Sequence, residues 1–112
     1  MPRTFQDDRQ RRLFAALADE PRLVFVCGPR GVSVYLVGRL RVRRVRGEDL
    51  LGAGDGTDHV HVDWSRVRDA EESTFHGEGL LTFRDGDEDL FRIYRPEGVF
   101  PPAVSALTGR LV

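Results

Sequence analysis

Residues 58–64 read Asp58-His59-Val60-His61-Val62-Asp63-Trp64, and from His59 onward polar and apolar side chains come in close alternation. Successive side chains of a β-strand point to opposite faces of the sheet, so alternation indicates a strand with one buried face. The polar face then carries His59, His61 and Asp63, and the apolar face carries Val60, Val62 and Trp64. The stretch therefore predicts a half-buried strand of the kind found in antiparallel sheets.

The polar face of this predicted strand has the residue types of a ligand site. Neighbouring side chains on one face lie ~7 Å apart, and imidazoles and a carboxylate in such a row can bind a metal ion, ligate haem iron or relay a proton. We take His59 and His61 as candidate metal ligands. A metal ion without a porphyrin would need a third ligand from elsewhere in the chain. A solvated sheet face carries the same residue types and is the alternative interpretation.

A second group of candidate residues lies on the strand predicted at residues 39–46. Arg39, Arg41 and Arg43 alternate with aliphatic residues, and guanidinium groups in such a row can clamp carboxylates or phosphates. On an edge strand the same charges would discourage unwanted strand pairing, which is the alternative. Two consecutive arginines interrupt the alternation, and we expect a β-bulge there that returns Val45 to the core face.

The remaining sequence predicts an α+β fold. Helical periodicity predicts an N-terminal helix over residues 5–18 with Thr4 as its N-cap. Its buried stripe would consist of Gln10, Leu13, Phe14 and Leu17. The predicted strands cover residues 23–27, 32–37, 39–46, 59–74 with a bend near Asp69, 80–83 and 90–94. Residues 51–57 are expected to form a glycine-rich loop, and residues 102–108 a short C-terminal helix ended by Gly109. This order of hairpin-linked strands between two helices predicts an antiparallel β-sheet rather than a parallel one.

Length and composition limit the class of protein. The 112 residues predict a single domain over residues 1–112. No apolar run reaches the ~18 residues that a bilayer requires, and no hydrophobic signal segment begins the chain, so we expect a cytoplasmic protein without membrane insertion. The net charge of −1, and the lack of aromatic residues among the arginines of the basic strand, argue against nucleic-acid binding. Cys27 is the only cysteine, and we expect it to be a small buried side chain.

Charge is unevenly distributed along the chain. Residues 1–48 hold eleven arginines and five acidic residues, whereas residues 49–112 hold six arginines and thirteen acidic residues. This asymmetry fits either complementarity within one molecule or association between copies. No serine or cysteine lies in a recognisable nucleophile motif, and the acidic residues cluster in turns, so the sequence favours a non-catalytic protein over an enzyme.

Several segments of the chain share their pattern with one known family. They are Leu13-Phe14-Ala15-Ala16-Leu17 followed by Leu23-Val24-Phe25-Val26, the stretch Asp58-His59-Val60-His61-Val62-Asp63, Phe83-Arg84-Asp85-Gly86-Asp87, and Leu90-Phe91-Arg92-Ile93-Tyr94. Together, over residues 13–108, they resemble the haem-utilisation carriers of bacteria, the ChuX/HutX/HemS-like proteins. The resemblance implies an antiparallel sheet with flanking helices, often dimeric, that carries haem in the cytosol; some relatives are described as haem-degrading. Several relatives contain two copies of the unit or an extra N-terminal domain, whereas this chain has one copy.

The resemblance combines the two groups of candidate residues into one hypothesis, which is haem binding. By position His59 matches the histidine of the family's motif, whereas His61 fits on chemistry, so either residue is a candidate iron ligand. Tyrosinate also ligates ferric haem, and the reserve ligands are Tyr35 and Tyr94. The groups expected to pair with the two propionates are Arg39, Arg41 and Arg43. Two alternatives stay open: a non-catalytic module that forms a homodimer or docks another protein, and a small metal-dependent enzyme.

Overall fold

A computed structural model of the chain describes residues 3–54 and 56–112. In chain order the elements are α1 (Asp8–Ala18), β1 (Leu23–Cys27), β2 (Val34–Gly38), β3 (Leu40–Val45), β4 (Glu48–Ala53), β5 (His59–His61), β6 (Asp69–Phe75), β7 (Glu78–Asp85), β8 (Glu88–Arg95), α2 (Pro102–Ser105) and β9 (Gly109–Arg110). The strands pair antiparallel, and the predicted α+β class with an N-terminal and a short C-terminal helix is confirmed. Within the described residues, no helix has the length and apolarity needed to cross a lipid bilayer.

The strands are divided between two sheets. Six strands form the larger sheet in the order β2-β1-β8-β7-β6-β9, and three form the smaller sheet in the order β3-β4-β5. The chain leaves the larger sheet after β2, builds the smaller sheet, and returns to the larger sheet at β6. Side chains from both sheets and from α1 join one hydrophobic cluster. One face of the smaller sheet is therefore buried against the core, and its other face is left open to solvent.

Trp64 lies at the centre of this core and is fully buried, as its place on the apolar side of the alternation predicted. The centroid of its ring system is 4.4 Å from that of Phe5 and 4.9 Å from that of Phe14 in α1. Its indole Nε1 donates a hydrogen bond to the main-chain oxygen of Asp49 in β4, at 3.0 Å. A buried donor without a partner would cost about 1–3 kcal/mol. Trp64 therefore joins the N-terminal segment, α1 and the smaller sheet.

The buried stripe of α1 is the one that helical spacing predicted, and it includes one polar residue. Gln10 is 0% exposed, and its Nε2 donates to the main-chain oxygens of Trp64 and Val67 at 2.7 and 2.8 Å. Its Oε1 accepts a hydrogen bond from the main-chain N–H of Gln6 at 2.7 Å. Because these hydrogen bonds replace those lost to water, Gln10 is tolerated in the core and ties α1 to the segment that follows β5.

Both predicted helices extend further than the observed ones. The prediction of Thr4 as N-cap is wrong, since Asp7 caps α1: its Oδ1 accepts a hydrogen bond from the main-chain N–H of Arg9 at 2.9 Å. The C-terminal helix ends at Ser105, and Gly109, at a φ of 94°, opens the unpredicted strand β9. With two residues, β9 is too short to produce a periodic pattern.

The single long strand predicted over residues 59–74 is wrong, because β5 ends at His61 and β6 begins at Asp69 in the other sheet. The residues between them turn inward and bury Val62, Trp64 and Val67. Asp63 lies in this turn. Its Oδ1 accepts two hydrogen bonds from Ser65, one from the main-chain N–H at 3.2 Å and one from the side-chain hydroxyl at 2.5 Å. Asp63 is therefore not on the strand with the two histidines.

The smaller sheet overturns two further predictions. Residues 51–53, expected in a loop, belong to β4 and pair with β3. The expected β-bulge is also wrong, because the β3–β4 register runs without interruption as far as Val45 opposite Glu48. Val45 is consequently 37% exposed instead of lying in the core. Arg44, and not Val45, lies on the side of β3 that faces the core. Its Nε donates a hydrogen bond to Asp49 Oδ1 at 2.6 Å.

Two-residue turns with positive φ set the register of two hairpins. Arg46 and Gly47, at φ values of 51° and 75°, join β3 to β4. His76 and Gly77, at 50° and 81°, join β6 to β7. Positive φ at both central residues is required by the type I′ turn, whose twist matches that of the flanking strands.

Asp49 attaches the N-terminal segment to β4. Its side chain is 5% exposed, and its Oδ2 accepts a hydrogen bond from the main-chain N–H of Phe5 at 2.8 Å. Its main-chain N–H donates to the main-chain oxygen of Arg3, also at 2.8 Å. These contacts hold Phe5 against Trp64, so they contribute to the packing of the core as well as to the position of the segment.

Cys27 is half-buried at the end of β1, where it packs against the core cluster. Burial raises the pKa of its thiol, which disfavours the reactive thiolate form at neutral pH.

We expect Gln10→Met to lower the free energy of unfolding by about 2–4 kcal/mol, because buried main-chain groups would lose their hydrogen-bond partner while side-chain volume is kept. Gln6→Met is the matched control: its side chain is exposed and makes one hydrogen bond, to the main-chain oxygen of Thr4. The control should stay within about 0.5 kcal/mol of the wild type. Urea unfolding followed by Trp64 fluorescence measures both values, and equal losses would contradict the role given to Gln10.

We expect Asp49→Ala to lower the free energy of unfolding by about 2 kcal/mol, because the main-chain N–H of Phe5 would lose its buried acceptor. The matched control is Asp87→Ala in the exposed β7–β8 turn, which should change it by less than about 0.5 kcal/mol. Limited proteolysis should also release the N-terminal segment faster in Asp49→Ala than in the control. An unchanged cleavage rate would show that Asp49 does not hold this segment.

Candidate functional site

Strand pairing in the smaller sheet brings both histidines and two of the three predicted arginines onto one face. The paired rows across the sheet are Arg41, Gly52 and His59, and Arg43, Leu50 and His61. Directly opposed residues of antiparallel strands point to the same side of the sheet. We call these six residues the cleft face. Together with Val45, Arg46 and Glu48 they line a cavity of about 530 Å³, which is within the usual range for small-molecule sites, roughly 300–1,000 Å³.

The two histidine rings lie side by side, with their centroids 5.1 Å apart and their planes at 72°. Nδ1 of His59 is 2.9 Å from the main-chain oxygen of Thr57, and Nδ1 of His61 is 2.8 Å from Glu48 Oε1. Carbonyl oxygens and ionised carboxylates only accept hydrogen bonds, so each Nδ1 carries a proton. In the neutral rings the lone pair is then on Nε2, the nitrogen that remains to bind a metal.

Glu48 is held in its ionised form. Its Oε1 accepts hydrogen bonds from His61 and, at 3.2 Å, from Nη1 of Arg3. The hydrogen bond with His61 is the largest cause that lowers the pKa of Glu48 below its ordinary value; Arg3 adds to the effect, and desolvation opposes it. Glu48 is therefore a carboxylate at neutral pH and acts as an acceptor toward the imidazole.

Guanidinium groups give the cleft its positive side. Arg41 is half-buried, and its Nη2 donates to the main-chain oxygen of Gly56. Its Nε is buried and has no hydrogen-bond partner among the described residues. Arg43 and Arg46 are exposed, and within residues 3–54 and 56–112 neither forms an ion pair. These three side chains are available to an acidic ligand.

Gly52 adds no side chain at the centre of the cleft face, where the main chain at Asp58 approaches it closely. A Cβ atom at this position would lie 3.0 Å from the main-chain oxygen of Asp58 and 3.9 Å from Arg41 Nη2. Leu50, which is 8% exposed, forms the neighbouring part of the floor. An apolar surface with polar and charged groups at its margins suits a ring system with acidic substituents.

Three of the residues singled out in the sequence lie away from this face. Arg39 precedes β3, and its Nε donates to the main-chain oxygen of Ala18 at the end of α1, at 3.1 Å. Tyr35 in β2 and Tyr94 in β8 both belong to the larger sheet. The structure therefore brings four of the five predicted site residues together and leaves Arg39 at the end of the helix.

Three further residues of the cleft were not predicted from the sequence: Glu48, Gly52 and Arg46. The available signal was the dipeptide Arg46-Gly47 between an alternating strand and two leucines, which is compatible with a two-residue hairpin turn. A hairpin closed there places Glu48 opposite Val45 and Gly52 opposite Arg41. The three glycines of residues 52–56 hid this signal, because glycine is depleted in strands.

The donor set of the cleft face fits a haem. Within the described residues, no group of three or more histidine, cysteine, aspartate or glutamate side chains is arranged to hold a metal ion. A haem iron takes only axial ligands from the protein, of which imidazole is the commonest. Two imidazole Nε2 atoms match the iron in chemical type, and the guanidinium groups that line the same cavity match the propionates.

The fold is similar to two solved structures. One is the crystal structure of ChuX, with a TM-score of 0.60 and 11% sequence identity, covering 89% of this chain and 68% of that chain. The other is the crystal structure of a protein from Erwinia carotovora, with a TM-score of 0.60 and 15% identity over the same shares of the two chains. No protein-family model matches the sequence, and no curated protein matches it. The predicted resemblance to ChuX is thus confirmed at the level of the fold, which is ChuX-like.

Proposed function

We propose that this chain binds haem on its cleft face and carries it in the cytoplasm. The observation that carries the proposal is the placement of imidazole Nε2 atoms on β5 and guanidinium groups on β3, with a glycine floor between them. Two interstrand spacings separate these strands, which is roughly 10 Å. The distance between the iron and the propionates of a haem is similar to this separation. The ChuX-like fold supports the proposal, because the segments of the sequence resemble the same haem-utilisation family.

In this proposal each residue of the cleft face has a separate role. His59 or His61 contacts the iron through Nε2, while Arg41 and Arg43 pair with the propionates. Arg46 adds positive charge at the rim of the cavity. Arg39 is left out of the propionate clamp, because it precedes β3 and its guanidinium group lies at the end of α1, outside the lining of the cavity.

The openness of the site supports carriage as the second part of the proposal. When bound, haem supplies a redox-active iron. The chain's own residues bind the ligand, orient it and shield one face of it. Both histidine side chains are exposed to solvent, so a ligand held against them has a direct path to a receiving partner. We therefore propose a carrier rather than an enzyme that consumes haem.

Hemin titration followed by absorbance tests the proposal. We expect a red-shifted Soret band with saturable one-to-one binding in the wild type, and its loss in a His59→Ala/His61→Ala double variant. Arg41→Ala and Arg43→Ala should each weaken binding about tenfold, since a charge-assisted hydrogen bond at a partly exposed site contributes at least ~1.5 kcal/mol.

Arg39→Ala is the matched control for the two arginine variants, since it removes the same charge next to the same strand. It should bind hemin within about twofold of the wild type. No Soret shift in the wild type, or an unchanged shift in the double histidine variant, would reject haem binding on this face.

A second candidate function, a homodimerisation module, is favoured by the exposed edge of the larger sheet. β2 is the edge strand, and its exposed side chains include Val34, Tyr35 and Val37 at 48%, 62% and 49%. Edge strands usually carry charges or proline residues that prevent pairing with another chain. β2 has none of these between Val34 and Gly38, which fits pairing with a second copy.

Multi-angle light scattering over a range of concentrations tests the second candidate. We expect the mean mass of the wild type to rise toward that of a dimer, and Val37→Asp to lower the dimer fraction because it places a charge at the edge. Val99→Asp is the control, because Val99 is 63% exposed in a loop outside the strands. A monomer at the highest concentration, or equal effects of the two substitutions, would count against dimerisation through β2.

A further inference from the structure

We infer that His61, rather than His59, is the axial ligand of the proposed haem site, and that Glu48 is its positioning residue. This inference rests on the proposed function, but it concerns contacts that exist without the ligand. The two histidines differ in the group that each Nδ1 faces: a side-chain carboxylate for His61 and a main-chain carbonyl for His59. That difference decides how strongly each Nε2 binds ferric iron.

The proton on His61 is placed by its partner. A glutamate side chain is ordinarily ionised at neutral pH, and Glu48 Oε1 also accepts a hydrogen bond from Nη1 of Arg3 at 3.2 Å. An ionised carboxylate has no proton to donate, so the hydrogen atom in the 2.8 Å contact belongs to Nδ1. The neutral ring is therefore held as the Nδ1–H tautomer, and its Nε2 lone pair is available without a change of tautomer.

A carboxylate partner also increases the basicity of the ring. Ligating histidines commonly donate their second N–H to a carboxylate or a carbonyl, and this contact raises the electron density at the metal-binding nitrogen. A carboxylate carries a full negative charge, whereas the Thr57 carbonyl opposite His59 carries only a dipole. Of the two Nε2 atoms, that of His61 is consequently the stronger donor to ferric iron.

Glu48 is itself held in place, as a positioning residue must be. It opens β4, where its backbone pairs with Val45 directly after the tight turn between β3 and β4. Its side chain is 20% exposed, and Arg3 contacts the same oxygen that accepts from His61. Arg3 in turn is fixed by its main-chain contact with Asp49. The orientation of the His61 ring is thus supported from two sides.

The two histidines do not act as a pair on opposite faces of one porphyrin. Their rings are neighbours on the same side of a three-residue strand, with centroids 5.1 Å apart. A porphyrin placed between them would have to separate side chains that project from the same strand. Only one of the two imidazoles would therefore ligate the iron of a bound haem.

The first test compares His61→Ala and His59→Ala by hemin titration with absorbance and electron paramagnetic resonance spectra. We expect His61→Ala to lose the signature of imidazole ligation and to regain it when free imidazole is added. His59→Ala should bind hemin more weakly than the wild type but keep that signature. Loss of the signature in His59→Ala, with its retention in His61→Ala, would overturn the inference and leave haem binding intact.

The second test uses Glu48→Gln, whose amide oxygen still accepts from Nδ1 but carries no charge. We expect the preference of the site for ferric over ferrous haem to fall about tenfold, which is a rise of about 59 mV in the midpoint potential of a one-electron couple. Glu78→Gln, which removes the same charge from the larger sheet, should leave the potential unchanged. Equal potentials in Glu48→Gln and the wild type would show that Glu48 does not act on the iron through His61.

A third measurement needs no haem and separates this inference from the proposed function. Long-range proton–nitrogen NMR spectra of the ligand-free protein report which ring nitrogen of His61 carries the proton. We expect Nδ1–H in the wild type and a partial return to Nε2–H in Glu48→Gln. An Nε2–H tautomer in the wild type would overturn the inference directly. Failure of the wild type to bind hemin would instead reject the proposed function, and with it the assignment of an iron ligand.

Discussion

The hydrogen bond from Trp64 Nε1 to the main-chain oxygen of Asp49 determines how the smaller sheet sits against the helix. The Trp64 side chain occupies the space between Phe5 and Phe14, and its one polar atom can be satisfied only where β4 passes beside it. The Asp49 side chain then accepts from the main chain of Phe5 and closes the N-terminal segment over the ring. With its inner face held in this way, β4 presents Leu50 and Gly52 of its outer face to the cleft.

Alternation of residue types predicted which side chains share a face. It did not predict where the strand ends, because the residues after β5 are buried without being paired to another strand. His59, His61 and Trp64 were assigned to the correct sides of the chain. The length of the strand was not predictable, because inward-turning residues such as Val62 and Val67 look the same in sequence whether a ladder or a turn buries them. Residues 51–53 show the reverse error: they were predicted in a loop but belong to a strand. Glycine rarely occupies the centre of a strand, so Gly52 indicated a loop.

The sequence predicted those residues of the candidate site that the pattern within a single strand reveals. Arg41 and Arg43 follow from the alternation of β3, whereas Arg39 lies before the first paired residue and is taken by a helix carbonyl that no local pattern reveals. Glu48 contacts His61 only because β4 and β5 adopt one register out of several. A contact of that kind depends on tertiary pairing, so neither residue type nor spacing indicates it.

The glycine at position 52 is required by the space above it and not by its backbone. Unlike the glycines of the tight turns, Gly52 has no positive φ, so any L-residue fits its conformation. A methyl group there would press on the Asp58 carbonyl, which would have to move by a few tenths of an ångström and would carry His59 with it. The gain of one carbon atom at this position would therefore change the shape of the cleft face. The shape of the cleft face thus depends on one close main-chain contact, that between Gly52 and Asp58.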